Sequence, residues 1–213
     1  MNKNQTQTIL TVLLAVTVFF FILTCSIGLP IWFRGFYYDH IEALDLPKRS
    51  GYTADQIREA YDEVLDYLSY PDAPFGTGVL PYSDEGKAHF EDCKFLFDLN
   101  FRVFQISGFV LLLLRSHKGR LAGHSGAFWG GVGALVIPAV VGALAALDFD
   151  RAFVIFHSIF FPGKTNWLFD WNADQIIRVL PQEFFCNCAI LIGVGMVGWA
   201  ILFIKLDRWY YGN

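Results

Sequence analysis

Four apolar stretches, each long enough to cross a bilayer, constrain this chain more than any other feature. They run over 9–29, 95–114, 127–147 and 184–204, and a helix needs about 20 such residues to span. The composition agrees: 54% of residues are hydrophobic, only 17% are charged, and Phe occurs 22 times. A soluble domain carries nearer a quarter charged residues. A net charge of −4 and the lack of any zinc-finger or phosphate-loop pattern argue against a nucleic-acid partner. The first stretch is longer than the apolar core of a signal peptide. It therefore reads as an uncleaved helix, although Ser26, Ile27 and Gly28 resemble a small-residue cleavage site.

The Lys and Arg of the short segments set the orientation. Lys3, the loop with Arg115, Lys118 and Arg120, and the tail with Lys205 and Arg208 hold a single acid, Asp207. The two long segments hold most of the acids. The expected fold class is an all-α integral membrane protein. Four transmembrane helices (1–29, 95–114, 127–147, 184–205) carry an extracytoplasmic cap built from two segments, 30–94 and 148–183. Both termini face the cytoplasm, in the cell membrane. Asp98 and Arg102 at i,i+4 can pair on the second span. The small residues of the third span, with Gly126 and Gly130 four apart, predict a helix-packing seam.

In the first cap segment, Thr53 and Gln56 form a capping box. Ile57, Tyr61, Val64, Leu65 and Leu68 then recur at helical spacing, with Asp55, Glu59, Asp62 and Asp66 on a face read as solvated. Ser83 is the expected N-cap of a helix that runs without a proline into the second span. In the second cap segment, Arg151 to Phe161 is too short to span and too apolar for a solvated loop. It reads as a helix at the membrane surface, with Asp150 as N-cap and Pro162-Gly163 as its end. A short helix is expected over 174–180.

Of five histidines, His117 and His124 fall in the basic cytoplasmic loop and read as headgroup or solvent contacts. His40 lies in a polar stretch. His89 has Glu85 at i−4 and Asp92 at i+3; His157 stands among Phe153, Val154, Phe160 and Phe161. An imidazole among aromatics resists protonation and stays a neutral base. Each reads either as a satisfied structural histidine or as half of a shared site. Glu85, Asp92 or Glu183 could complete a metal site, but no paired-His spacing supports one, and none is expected. Cys186 and Cys188 point to nearly opposite helix faces. Cys93, at i+4 from His89, is a minor nucleophile candidate. No Ser lies in a nucleophile-elbow context.

Three strings carry a family resemblance: Glu85-x-x-x-His89-x-x-Asp92-Cys93-Lys94; Phe156-His157-x-x-Phe160-Phe161, five residues, then Trp167-x-x-Asp170; and Arg178-x-Leu180-Pro181-x-Glu183-Phe184-Phe185. Together they resemble the bacterial lipoprotein intramolecular transacylases, small integral membrane proteins of Gram-positive bacteria. The resemblance implies an acyltransferase without a cofactor. Its substrate would be a diacylglyceryl-modified lipoprotein, met among membrane lipids. The sn-2 acyl chain would pass to the N-terminal cysteine amine to give lyso-form lipoprotein, with His89 and His157 as the catalytic residues. The substrate brings both nucleophile and ester, so catalysis needs a base, an oxyanion or leaving-group partner, and dry walls. The residues leave open which histidine is the base; the more desolvated His157 is favoured, with His89 as the partner, over the reverse assignment. Phe156, Phe160, Phe161 and Trp167 are the expected walls, and Arg178, Asp92 and Glu85 the expected polar substrate contacts. Competing readings are a membrane lipid esterase or remodelling acyltransferase with the same histidines, and a non-enzymatic scaffold subunit.

Overall fold

The computed structural model describes residues 2–211, with side chains described through 207; the side chain of Arg208, used above for orientation, lies outside them. Among the described residues there are eight α-helices, one 3-10 turn and no strand beyond an isolated bridge. The helices are α1 (Lys3–Trp32), α2 (Gly35–Ala43), α3 (Leu46–Ser50), α4 (Ala54–Ser69), α5 (Asp84–Leu114), α6 (Gly126–Leu147), α7 (Phe149–Phe160) and α8 (Gln182–Tyr211). Within them, Lys3–Trp32, Asp84–Leu114, Gly126–Leu147 and Gln182–Asp207 are long and apolar enough to cross a membrane. The chain divides into two compact units: Met1–Leu29, Asn100–Leu147 and Ile190–Asn213 form the first, Pro30–Leu99 and Asp148–Ala189 the second.

In the first unit, Leu14, Val18, Ile22, Ala134, Met196 and Ala200 form the core. Helix α6 approaches its neighbours through glycines. A Cβ at Gly130 would lie 2.6 Å from the Ala15 carbonyl oxygen, and one at Gly131 would lie 2.9 Å from Ile204 Cγ1. Side chains there would force the helices apart, which is the packing role expected of the small-residue run. Hydroxyls inside α1 are satisfied by their own helix: Thr17 Oγ1 donates to the Leu13 carbonyl at 2.8 Å and Ser26 Oγ to that of Ile22 at 2.7 Å. Without these bonds each buried hydroxyl would cost about 1–3 kcal/mol. No ion pair joins Asp98 to Arg102 among the described residues. The basic-loop histidines have specific partners: His117 Nε2 lies 3.0 Å from Thr11 Oγ1, and His124 Nδ1 lies 3.2 Å from Asp207 Oδ2. Each of these part-exposed rings therefore also makes a contact within the protein.

The second unit has a larger and more aromatic core, centred on Tyr37, Ile41, Leu46, Ile57, Tyr61 and Phe184. Thr53 and Gln56 form the expected capping box of α4. The apolar stripe of α4 then packs inward, at about 1.5–3 kcal/mol for each fully buried Leu, Ile or Val. Tyr37 stacks on Tyr61 with ring centroids 3.8 Å apart and donates to the Val179 carbonyl at 2.6 Å. The acidic face of α4 is not simply solvated. Arg34 bridges Asp62 at 2.8 Å and also pairs with Asp66, because its planar fork serves two carboxylates one helical turn apart.

Two boundaries depart from the sequence reading. The N-cap of α7 is Asp148, whose side chain accepts from Arg151 N at 2.9 Å, rather than Asp150. The expected short helix at 174–180 is a 3-10 turn, Gln175–Arg178. Asp174 is committed elsewhere: it is buried and accepts from both the backbone N and the hydroxyl of Ser83 at 2.8 Å. Ser83 Oγ in turn accepts from Gly86 N at 2.9 Å, capping α5 as predicted. A Cβ on Gly86 would collide with the Asp174 carboxylate, so Gly86→Ala would break this joint.

Candidate functional site

The N-terminal part of α5 places His89, and α7 places His157; both belong to the second unit. Helix α7 is inverted relative to an ordinary amphipathic helix. His157 is 6% exposed, whereas Phe156 is 47% and Ile159 65% exposed. The helix therefore turns its one titratable side chain inward and presents its apolar face outward. His89, also 6% exposed, faces the same interior. The two imidazole centroids are 5.7 Å apart, inside the width of one ester group flanked by a general acid and a general base.

Aromatic rings enclose the pair. Phe161, 4% exposed, packs on both imidazoles, with centroids 4.9 Å from His89 and 5.7 Å from His157. Trp167 stacks on His157 at 4.6 Å and Phe153 lies at 4.2 Å. Phe169 stands edge-on to His89 at 5.4 Å. Phe156 touches His157 edge-on and stacks toward Phe160, but both are about half exposed and form the outer wall.

The ring nitrogens differ between the two histidines. His157 Nδ1 lies 2.8 Å from the Phe153 carbonyl. A carbonyl only accepts, so Nδ1 carries the proton and Nε2 keeps its lone pair. Burial holds the His157 pKa below the ordinary histidine value, partly offset by that bond. On His89, Nε2 lies 3.5 Å from Cys93 Sγ, and Nδ1 is buried with no hydrogen-bond partner. Buried polar atoms are nearly always paired, so a bare ring nitrogen at this position is ready for a group from outside the chain.

Asp92, an expected substrate contact, is engaged within the protein. It pairs with Lys164 and accepts from Asn166 Nδ2 at 3.0 Å, tying the segment after α7 to α5. A cavity of about 260 Å³ beside this clamp is lined by Glu91, Asp92, Phe95, Phe160, Phe161 and Lys164, among others. Phe161, which lines this cavity, also packs on both histidines. Glu85 is exposed, one turn before His89. Arg178 pairs with neither Asp174 nor Glu183. Its Nε donates to the Trp171 carbonyl at 3.1 Å and its guanidinium lies over the Trp171 ring, while Glu183 pairs with Arg49. No cluster of three His, Cys, Asp or Glu side chains suited to a metal ion occurs among the described residues.

Sequence reasoning missed Lys164, Asn166 and Phe169 as members of the site. Their only signal was position: they surround Trp167 in the segment that follows the α7 histidine.

The chain matches the family described as Lipoprotein intramolecular transacylase Lit over residues 12–185. It is similar to the solved membrane integral lipoprotein intramolecular transacylase Lit from Bacillus cereus. Identity is 26%, with 97% of this chain and 96% of that one covered and a TM-score of 0.83. Two structures of that protein with one histidine changed, to alanine and to arginine, match at 26% identity and a TM-score of 0.75. Both cover 96% of this chain, and 93% and 92% of the solved chains. No curated protein sequence matches this chain.

Proposed function

This chain belongs to the lipoprotein intramolecular transacylase family, and from that premise we propose that His89 and His157 carry its acyl transfer. The observation that carries the assignment is the enclosed imidazole pair, 5.7 Å apart, with an unpartnered nitrogen on His89 and an acceptor nitrogen on His157. The substrate is a diacylglyceryl-modified lipoprotein with a free N-terminal cysteine. Its amine attacks the carbonyl carbon of its own sn-2 ester and forms the N–C bond. His157 Nε2 takes a proton from the attacking nitrogen. The C–O bond to glycerol then breaks, and the departing oxygen takes a proton from His89 Nδ1. Cys93 supports this protonation state: a thiol S–H donating to Nε2 leaves the proton on Nδ1. The amine's proton then sits on His157 and His89 is one proton short, so transfer of that proton from His157 to His89 resets the pair. The products are an amide and a free glyceryl hydroxyl, and no acyl-enzyme forms.

Closing the medium ring of this attack is entropically poor in a flexible lipid, so holding the reactants folded supplies much of the acceleration. Phe161, Trp167 and Phe169 exclude the water that would otherwise hydrolyse the ester. Phe156 and Phe160 form the lipid-facing side of the site. In this reading residues 30–94 and 148–183 form an extracytoplasmic cap and both termini face the cytoplasm, supported by the Lys and Arg of the short segments. The outward apolar face of α7 lies in the interface among membrane lipids, where an acyl ester and a peptide N-terminus meet. Arg178 and Glu85 are peripheral polar contacts for the peptide or glyceryl group, and Asp92 acts through Lys164 and Asn166.

Mass spectrometry of a lipopeptide labelled in its sn-2 chain tests the reaction. The N-acyl product should keep the label in excess unlabelled phospholipid, and dilution of the label would overturn the intramolecular route.

A further inference from the structure

Besides His89 Nδ1, one other buried side-chain atom among the described residues lacks a hydrogen-bond partner: Asn166 Oδ1. Both belong to the same small region. Asn166 donates through Nδ2 to Asp92, which lies three residues beyond His89 on α5, and it immediately precedes Trp167, which stacks on His157. The orientation of the amide is not arbitrary. A carboxylate accepts and cannot donate, so the Asn166 atom facing Asp92 must be the NH2 group and the orphan must be the carbonyl oxygen. Lys164 fixes the other oxygen of the same carboxylate, which removes the freedom of Asp92 to turn away. The result is a held acceptor, without a donor, between the segments that carry the two histidines.

The proposed reaction contains one group that needs an acceptor of this kind. The attacking nitrogen must keep its lone pair toward the ester carbonyl and direct its N–H bonds elsewhere. His157 takes one of them. We propose that Asn166 Oδ1 accepts a second, from the α-amine of the substrate's N-terminal cysteine, and that Asp92 is the positioning residue that turns it there. This assignment rests on the transacylase reading above. It gives the clamp on α5 a task in selecting a free amine, and it accounts for a buried carbonyl left unpaired at a cost that folding would otherwise eliminate.

The test uses the full-length protein and two non-reacting inhibitors. One is the sn-2 ether analogue of a diacylglyceryl-cysteinyl lipopeptide with a free amine; the other is the same analogue N-acetylated. Turnover of the corresponding ester lipopeptide by the wild type reports on the transacylase reading itself. The ratio of the two inhibition constants reports on Asn166. The wild type should prefer the free amine by roughly ten- to a hundredfold, and Asn166→Ala should bring the ratio to within about twofold. Asp92→Asn is the second variant, for the case in which Asn166→Ala does not accumulate. It removes the carboxylate that dictates the orientation of the Asn166 amide and should reduce the preference at least fivefold, by the same unpaired-acceptor argument. A merely structural role for either residue would weaken both inhibitors equally. Turnover with an unchanged amine preference in whichever variant accumulates, or no preference in the wild type, overturns the proposal while leaving the transacylase reading in place.

Discussion

His124 and His117 in the first unit, and His89 and His157 in the second, are all placed by helices or their connecting loops, yet they are held in opposite ways. His124 faces the Asp207 carboxylate and stacks on Phe128 at 3.9 Å, and His117 meets a threonine hydroxyl. Those contacts engage the imidazoles within the protein. In the second unit, one nitrogen of each imidazole is engaged by its own helix, at Phe153 or Cys93, and the other has no protein partner among the described residues. Aromatic rings rather than polar groups surround the remainder. His40 sharpens the contrast within that unit. Like His157 it uses Nδ1 on a carbonyl four residues back, but its Nε2 meets the Asn187 amide at 2.9 Å. Burial sets His89 and His157, each 6% exposed, apart from the other three histidines, which are part-buried, and the unfilled second nitrogen sets them apart from His40.

The strongest way to break the contrast is to remove the imidazoles one at a time. His89→Ala and His157→Ala should each lower transacylation by about 10²–10⁴-fold, the usual worth of general acid–base catalysis, with the protein still folding and inserting. His40→Ala and His124→Ala should stay within about twofold of wild-type turnover, because neither ring is part of the aromatic enclosure around His89 and His157: His40 packs on Phe36 and Phe184, and His124 on Phe128 and Trp129. Equal losses across the four would end the distinction drawn above.

A smaller effect should follow from loosening the clamp. Asp92→Ala frees Lys164 and Asn166 together and lets Trp167 move over His157. A loss of roughly tenfold in turnover is expected, consistent with the sensitivity of catalysis to small displacements. Wild-type turnover would show that Trp167 is held by packing alone.

The pH profile separates the two environments without mutation. Burial holds His157 below the ordinary histidine value, so it is neutral at pH 7 and becomes protonated only on further acidification. The acid limb of kcat/KM should therefore fall with one proton, that of the substrate's α-ammonium at about 7.7–8.0, and steepen to two protons only below about pH 6.5, the unperturbed histidine value. The same shift makes stability decline as pH falls from the unfolded histidine value toward the lower folded one, since the unfolded chain takes the proton first. A two-proton fall already above about pH 6.5 would place the base in a polar, carboxylate-paired setting instead.

The smallest effect is expected at Cys93. Its thiol biases the His89 proton but takes no acyl group, so Cys93→Ala should cost no more than a fewfold in rate, near the net worth of one weak hydrogen bond. A thioester on Cys93 detected by mass spectrometry would replace the intramolecular route with covalent catalysis.

The sequence by itself determined the four long helices, α4 and α7, but not α2 and α3. Apolar length specified the four candidate spans, because a run of that length in lipid must satisfy its backbone internally. The capping box at Thr53, the Ser83 cap and the periodicity of α4 are local patterns with local causes, and each appears where the residues place it. The histidine pair was legible as two candidates on separate segments, and the family strings around them pointed the same way. Only the tertiary structure decided that their rings lie 5.7 Å apart, that Phe161 serves both, and that Asp92 is spent on Lys164 and Asn166. It also decided that Asp62 and Asp66 bind Arg34 rather than water, and that Asp148 rather than Asp150 caps α7. A carboxylate or an amide can meet any of several partners at similar energy, and the sequence does not rank them. The choice is made when packing brings one partner within hydrogen-bond distance and takes the others out of reach.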